Sequence, residues 1–318
     1  MLLRNNWKKL VLKLKSNNLY IFDTKDTAKR QCLFFTHEEF FGLLFFSLPL
    51  QAQQEIVNVN YTNNVLNRDT LKSQNHHFEA SVLFPIYKNA KHLIGGKWIY
   101  THYQFSGLHP LLNRSLQGLD LNLLWKLALN ENSSIQLGFL IGAFSDFNAG
   151  SKDVLRYRIV GNYTQRFSEA LVAGVGTIYN HHFNAHMWIP IASVDWKLNN
   201  RWKVSGMLPI KPKISYIIKD KWNWVSEGAG HAETFKVKKA VIELTGWTLM
   251  SSLQYTFKKH HRFQAGIGLT LSQRLRYYQE PKEMKWKLYN FDIKANEEPL
   301  ADLTTKGGRW NVEYTFLL

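Results

Sequence analysis

The hydrophobic pattern of this chain repeats every two residues in segment after segment, and that period constrains its fold more than any other feature. Leu119, Leu121, Leu123, Trp125, Leu127 and Leu129 share one parity, while Asp120, Asn122, Lys126 and Ala128 share the other. Ile135, Leu137, Phe139 and Ile141 alternate with Gln136, Gly138 and Gly142; Phe263, Ala265, Ile267, Leu269 and Leu271 alternate with Gln264, Gly266, Gly268, Thr270 and Ser272. The same period runs through Phe78, Ala80, Val82, Phe84 and Ile86, and through Trp247, Leu249, Leu253, Tyr255 and Phe257. Successive side chains of a strand point to opposite faces, so each window reads as a strand with one apolar face, and a helical period fits none of them. Aromatic residues, 14% of the chain, suit such pleated surfaces.

Turn signals between the windows place twelve strands near 55–65, 77–87, 92–105, 116–129, 134–146, 154–167, 170–183, 187–199, 201–219, 237–257, 262–278 and 307–318. The segment around Pro209 and Pro212 is a bulge or a break, because proline gives no hydrogen to a ladder. Connections are short at 88–91, 130–133, 168–169, 200 and 258–261 and longer at 66–76, 106–115, 147–153, 220–236 and 279–306, with a tight link at 184–186 as the exception. Short turns at one end and long loops at the other characterise barrels that cross an outer membrane with their strands. The expected fold is therefore all-β: an antiparallel, up-and-down transmembrane β-barrel of about 12 strands over residues 53–318, with both ends on the periplasmic side. A secreted soluble β-sandwich is the alternative, two sheets burying their apolar faces on each other.

Residues 1–52 read as a leader carrying a signal peptide. The apolar run 40–50 is shorter than the roughly 20 residues of a spanning helix and has the length of a signal h-region; Lys29 and Arg30 lie upstream, and cleavage is expected after Ala52. A buried core helix is the other reading of that run. The only cysteine, Cys32, falls in the leader, so the mature chain has neither a disulfide framework nor a cysteine nucleophile. The leader carries eight Lys/Arg against four Asp/Glu, so its removal lowers the formal charge from +16 to +12. These charges are scattered among alternating aromatics and form no nucleic-acid motif; contact with outer-membrane lipids, lipopolysaccharide or an anionic solute is the expectation.

At the end of the chain Trp310, Val312, Tyr314, Phe316 and Leu318 alternate with Asn311, Glu313, Thr315 and Leu317. This resembles the C-terminal signal read by the outer-membrane assembly machinery, although that signal usually ends in an aromatic residue. The stretch Phe78-Glu-Ala-Ser-Val-Leu-Phe-Pro85-Ile, the stretch Gly206-Met-Leu-Pro209-Ile-Lys-Pro212-Lys-Ile-Ser-Tyr and the alternating strands between them resemble a family of uncharacterised outer-membrane barrel proteins common in Bacteroidota. The resemblance implies an architecture and a compartment, the outer membrane of a Gram-negative bacterium, and brings no catalytic residues.

If the apolar parity faces lipid, the other parity puts Glu79, Asp120, Lys126, Arg156, Arg158, Arg166, Asp195, Lys197, Arg274, Arg276 and Glu313 in the lumen. The reverse orientation would cost roughly 2–4 kcal/mol for each Arg or Lys at the bilayer midplane. Two readings follow. In one, Arg156, Arg158, Arg274 and Arg276 set the field of a passive pore for small anionic solutes. In the other, guanidiniums and carboxylates pair across a narrow lumen and make a closed structural or lipid-processing barrel. The pairs His76-His77, His181-His182 and His260-His261 suggest a metal site, yet neighbours on a strand face opposite ways, so loop or rim histidines are expected and no metal or cofactor is assigned. Ser145-Asp146 and His182 have no spacing that marks a catalytic triad, and no enzyme is expected. Tyr157, Tyr163, Trp188, Trp196, Trp202, Trp222, Trp224 and Trp310 fall near strand ends, where interfacial girdles would put them. Gly95-Gly96, Gly174 with Gly176 and Gly228 with Gly230 match no phosphate loop and mark bends or close strand approach.

Overall fold

The computed structural model describes residues 34–35, 46–47, 55–68, 71–148, 153–279, 284–289, 291–293 and 298–318. The expected leader lies outside the described residues except for a short antiparallel pair, β1 (Phe34–Phe35) with β2 (Phe46–Ser47).

The wall is a single ring of strands. In order come β3 (Glu55–Arg68), β4 (Leu71–Lys88), β5 (His92–Ser106), β6 (Ser115–Ala128), β7 (Ser133–Ser145), β8 (Leu155–Arg166), β9 (Leu171–His181), β10 (Ala185–Lys197), β11 (Trp202–Leu208), β12 (Lys211–Lys219), β13 (Trp222–Val237), β14 (Ala240–Phe257) and β15 (His261–Gln279). Two short pieces follow, β16 (Lys285–Leu288) and β17 (Phe291–Asp292), and then β18 (Ala301–Leu317) pairs with β15 on one side and β3 on the other, closing the ring. Fourteen antiparallel strands thus make a closed barrel, and the two-sheet sandwich is set aside.

The strand number differs from about 12 for two local reasons. The stretch 201–219 is two strands, because the chain reverses at Pro209–Ile210; Gly206 (φ +136) sits where a Cβ would meet the Lys211 carbonyl, so the tight approach of β11 to β12 needs glycine there. The expected loop 220–236 is mostly β13. The expected loop 66–76 also shrinks, since β3 runs to Arg68 and β4 begins at Leu71.

Outward side chains include Leu119, Leu137, Phe139, Ile159, Val175, Leu253, Ile267 and Leu269, all exposed, while Asn58, Asn122, Gln136, Thr164 and Asn311 on the other parity are buried. At the end carrying the short turns, Trp202 packs on Tyr216 (4.7 Å) and Trp222 on Tyr255 (4.6 Å). Towards the loop end, Tyr179 packs on Tyr157 (6.2 Å) and Trp188 (5.0 Å). Trp188 and Trp196 both point outward from β10, eight residues apart, which is roughly 27 Å along the strand and about 20 Å along the axis of a barrel with strands tilted near 40°.

The β11–β12 hairpin is too short to fill its share of the wall. β10 pairs with β11 only over Ala192–Lys197, and β13 pairs with β12 only over Trp222–Glu227. Beyond that point β16 lies parallel along β10 at Ala185–Trp188. The loop-end half of β13 leaves the wall, and its Lys236 pairs with Ser145 of β7. Since β8 to β12 stand between these two strands in the ring, the β13–β14 hairpin must cross the lumen.

Candidate functional site

The hairpin tip ends in an apolar plug. Phe235, Val237, Ile242 and Leu244 pack with Tyr103 and Phe105 of β5, Leu108, Leu112 and Leu116 around the following loop, and Phe144 of β7. Phe235 meets Tyr103 and Phe144 edge-on, both at 5.8 Å between ring centres. Each fully buried side chain of this size is worth roughly 1.5–3 kcal/mol. The polar edge of the hairpin is also held: Ser145 Oγ donates to the Lys236 carbonyl (2.7 Å), and His182 Nδ1 and Thr234 Oγ1 lie 3.2 Å apart. Ser145, Asp146 and His182 therefore have structural partners here; Asp146 takes Arg114 at 3.5 Å.

The charges assigned to the lumen divide between two places. Glu79, Asp120, Lys126, Arg156, Arg158, Arg166 and Glu313 do lie on the inward parity. The Arg156 guanidinium stacks 3.2 Å above the Phe144 ring and donates to the Thr234 carbonyl (3.4 Å), and Arg158 Nε donates to Asn180 Oδ1. Glu313 accepts from Asn58 at 2.7 Å, and Asp195 pairs with Lys203 at 2.9 Å. Arg274 and Arg276, by contrast, are on the outer face. The register of β15 against β18 slips between Thr270 and Gln273, and this bulge exchanges the two faces, so that Arg274 and Arg276 align with Thr304 and Asp302 on the outward parity of β18. Arg274 forms a forked, exposed pair with Asp302 (Nε–Oδ1 2.8 Å), and Arg276 binds Glu243 at 2.9 Å beneath β16 and β17.

Each histidine pair splits as the pleat requires. His76 turns outward to the Tyr61 hydroxyl (2.7 Å) while His77 stacks inside on Tyr103 (4.2 Å); His181 stacks on Tyr157 (4.7 Å) while His182 is buried under the hairpin. At the turn end, His260 Nδ1 lies 3.1 Å from the Leu317 carbonyl and His261 Nδ1 lies 2.9 Å from the Tyr314 hydroxyl.

Below the plug is a chamber of about 130 Å³, walled by β3–β6, β12–β15 and β18. Its lining mixes amides and hydroxyls such as Asn58, Asn75 and Thr101 with carboxylates such as Glu79 and Glu313, the cations Lys211 and Arg309, and apolar Ile99 and Leu244. Neither the chamber nor the hairpin above it is legible in the sequence, since both depend on β13, which occupies the expected loop 220–236.

The fold and its interior define a class: a closed, strand-walled barrel with an apolar exterior, an inner chamber and a hairpin that crosses the lumen. The chain belongs to the family described as a domain of unknown function, DUF6268, which matches residues 51–290. Among solved structures it is similar to the COG4313 outer membrane channel from Pseudomonas putida F1, at 11% identity and a TM-score of 0.45 over 86% of this chain and 97% of that one. It is also similar to the Pseudomonas putida toluene transporter TodX (9% identity, TM-score 0.37, 84% and 90% covered) and to the Salmonella typhi outer membrane phospholipase dimer with bound calcium (10%, 0.38, 84% and 92%). No curated protein matches the chain.

Proposed function

We propose that this protein is an integral barrel of a Gram-negative outer membrane that passes small solutes, and that its resting lumen is shut on the loop side by the β13–β14 hairpin. Membrane residence is supported by the exposed apolar belt, which no soluble single-walled barrel would present to water. The basic surplus suits lipopolysaccharide and lipid contact, and the alternating β18 suits capture by the assembly machinery. The observation that carries the closed-channel reading is the pairing of Lys236 with Ser145 above a polar chamber.

In this reading Arg156 clamps the lid through the Thr234 carbonyl, and Arg158 supports it through the charge of Glu233. Purified protein in planar bilayers is expected to give rare conductance steps. Frequent, larger steps are expected from Arg156→Ala/Arg158→Ala, and from a variant in which residues 235–242 are replaced by a two-residue turn. Steps as frequent and large in the parent protein as in the variants would overturn the lid, and a loss of anion preference at unchanged conductance would favour an open anion pore. Silence of all three well-folded proteins would favour a structural barrel.

A further inference from the structure

Among the described residues, the chamber is lined by five carboxylates against two basic side chains, Lys211 and Arg309; His77 and His231 also face it. Lys211 pairs with Glu227 at 3.4 Å, and Asp120 and Glu233 lie within the electrostatic reach of Arg156 and Arg158. The other two carboxylates, Glu79 of β4 and Glu313 of β18, stand at one level of the wall. Register sets Glu313 opposite Asn60, Asn60 opposite Glu79 and Glu79 opposite Thr101, so the two acids are two strands apart, about 10 Å between Cα atoms. Gln264 and Gln254 continue this row on one side and Gly118 on the other, and no Lys or Arg stands in it. Arg309 lies four residues along β18 from Glu313, roughly 13 Å nearer the loops, opposite Asn64.

Each of these two carboxylates has a buried oxygen beside it that meets no partner among the described residues. Next to Glu79 it is Thr101 Oγ1, and next to Glu313, one inward position along β18, it is Asn311 Oδ1. Thr101 is 6% and Asn311 7% exposed, and both line the chamber, so water does not satisfy them from outside the barrel. A third such acceptor, Asn75 Oδ1, lies at the level of Arg309. The unpartnered donor of the lining, Gln273 Nε2, is further towards the loops, opposite Thr305. At the level of Glu79 and Glu313 the chamber therefore offers oxygen acceptors and negative charge, at two points separated by about two strands. Buried polar atoms left unmatched in this way mark where hydrogen-bond donors belong.

We infer that the chamber is a binding site for a short aliphatic diamine, with one ammonium at Glu79 and Thr101, the other at Glu313 and Asn311, and the methylenes between them against apolar lining such as Ile99 and Val225. This rests on the solute-passing reading above and names its class of solute. Each ammonium brings three donors, so it meets a carboxylate and the neighbouring oxygen together and keeps a counter-charge where it leaves water. An anion of the same length would meet like charge at both ends, and a diol would bring charge to neither. Arg309 bounds the site on the loop side and disfavours a third positive charge there. The chamber's 130 Å³ has room for roughly ten waters, and so for a four-carbon diamine.

The test is equilibrium dialysis of the purified full-length protein in detergent at pH 8, above the ordinary histidine pKa of about 6.5. Radiolabelled butanediamine should bind saturably. Unlabelled butylamine, with one ammonium, should compete at least tenfold more weakly than unlabelled butanediamine, and butanediol and succinate should not compete. Glu79→Gln and Glu313→Gln should each weaken binding at least tenfold, and Thr101→Val, which keeps both charges, at least threefold. Asp220→Asn, in an exposed turn, should leave binding unchanged, and heat-modifiable mobility on a gel shows which variants are folded. Equal competition by butanediamine and butanediol, displacement by succinate, or folded Gln and Val variants that bind as the parent does would overturn the site. Butanediamine bound by the protein but not admitted to vesicles that carry it would uphold the site and count against the solute-passing reading; butanediamine admitted but not bound would overturn the site alone.

Discussion

At the scale of single residues, what decides each charge's role is the partner that reaches it. Arg156 faces inward as its parity requires, yet it lies flat on Phe144 and against the backbone of β13, so it holds a contact closed. The parity of Glu79, Asp120, Lys126 and Glu313 was legible because no bulge intervenes along their strands between the alternating windows and the residues themselves. That of Arg274 and Arg276 was not, since Thr270-Leu271-Ser272-Gln273 contains no residue that announces a slip of register. His182 allows a pH test in the turn between β9 and β10. Its burial, then the charges of Arg156 and Arg158, hold its imidazole well below the usual 6.5. The folded protein keeps this ring neutral, whereas the released ring takes a proton near 6.5, so its favourable contribution is full above that pH and declines as pH falls below it. Thermal melting should therefore drop between pH 7.5 and 5.5, and by less in His182→Gln; identical profiles would remove His182 from the account.

The strands came through in the sequence where one face is apolar and exposed and the other is polar and inward, because that contrast writes the period of two. β13 shows the converse. Its first half carries Trp222 and Trp224 outward, but in its second half Thr234 is buried on one face and Phe235 and Val237 on the other, so no alternation remains to read. The break at Pro209–Ile210 was visible as a break, but its consequence, a missing piece of wall, was not: that depends on how far β10 and β13 extend past the hairpin. The hairpin's hold on the lumen can be measured at Phe235, whose ring is fully buried between Tyr103 and Phe144. Phe235→Ala should cost about 3–5 kcal/mol of docking, a rise of at least about a hundredfold in amide hydrogen exchange across residues 233–243 with the wall strands unchanged. Unchanged exchange at the tip would show that the plug does not fasten the hairpin.

At the scale of the whole molecule, three physical demands meet in one ring. In the proposed membrane setting the exterior must be apolar, the ladders must close so that no edge is left bare, and the interior must satisfy the polar parity. The short β11–β12 hairpin leaves the second demand unmet over part of β10; β16 pairs with β10 there, and β13, freed from the wall, folds inward to reach β7, which is the arrangement the proposed lid rests on. The most direct test of this arrangement is a disulfide across the lumen. With Cys32 replaced by Ser, Ser145→Cys/Lys236→Cys purified from membranes should lose both free thiols on mild oxidation, through an intramolecular bond confirmed by mass. Two thiols that stay free, each still reactive to maleimide, would place β13 back in the wall and contradict the lid.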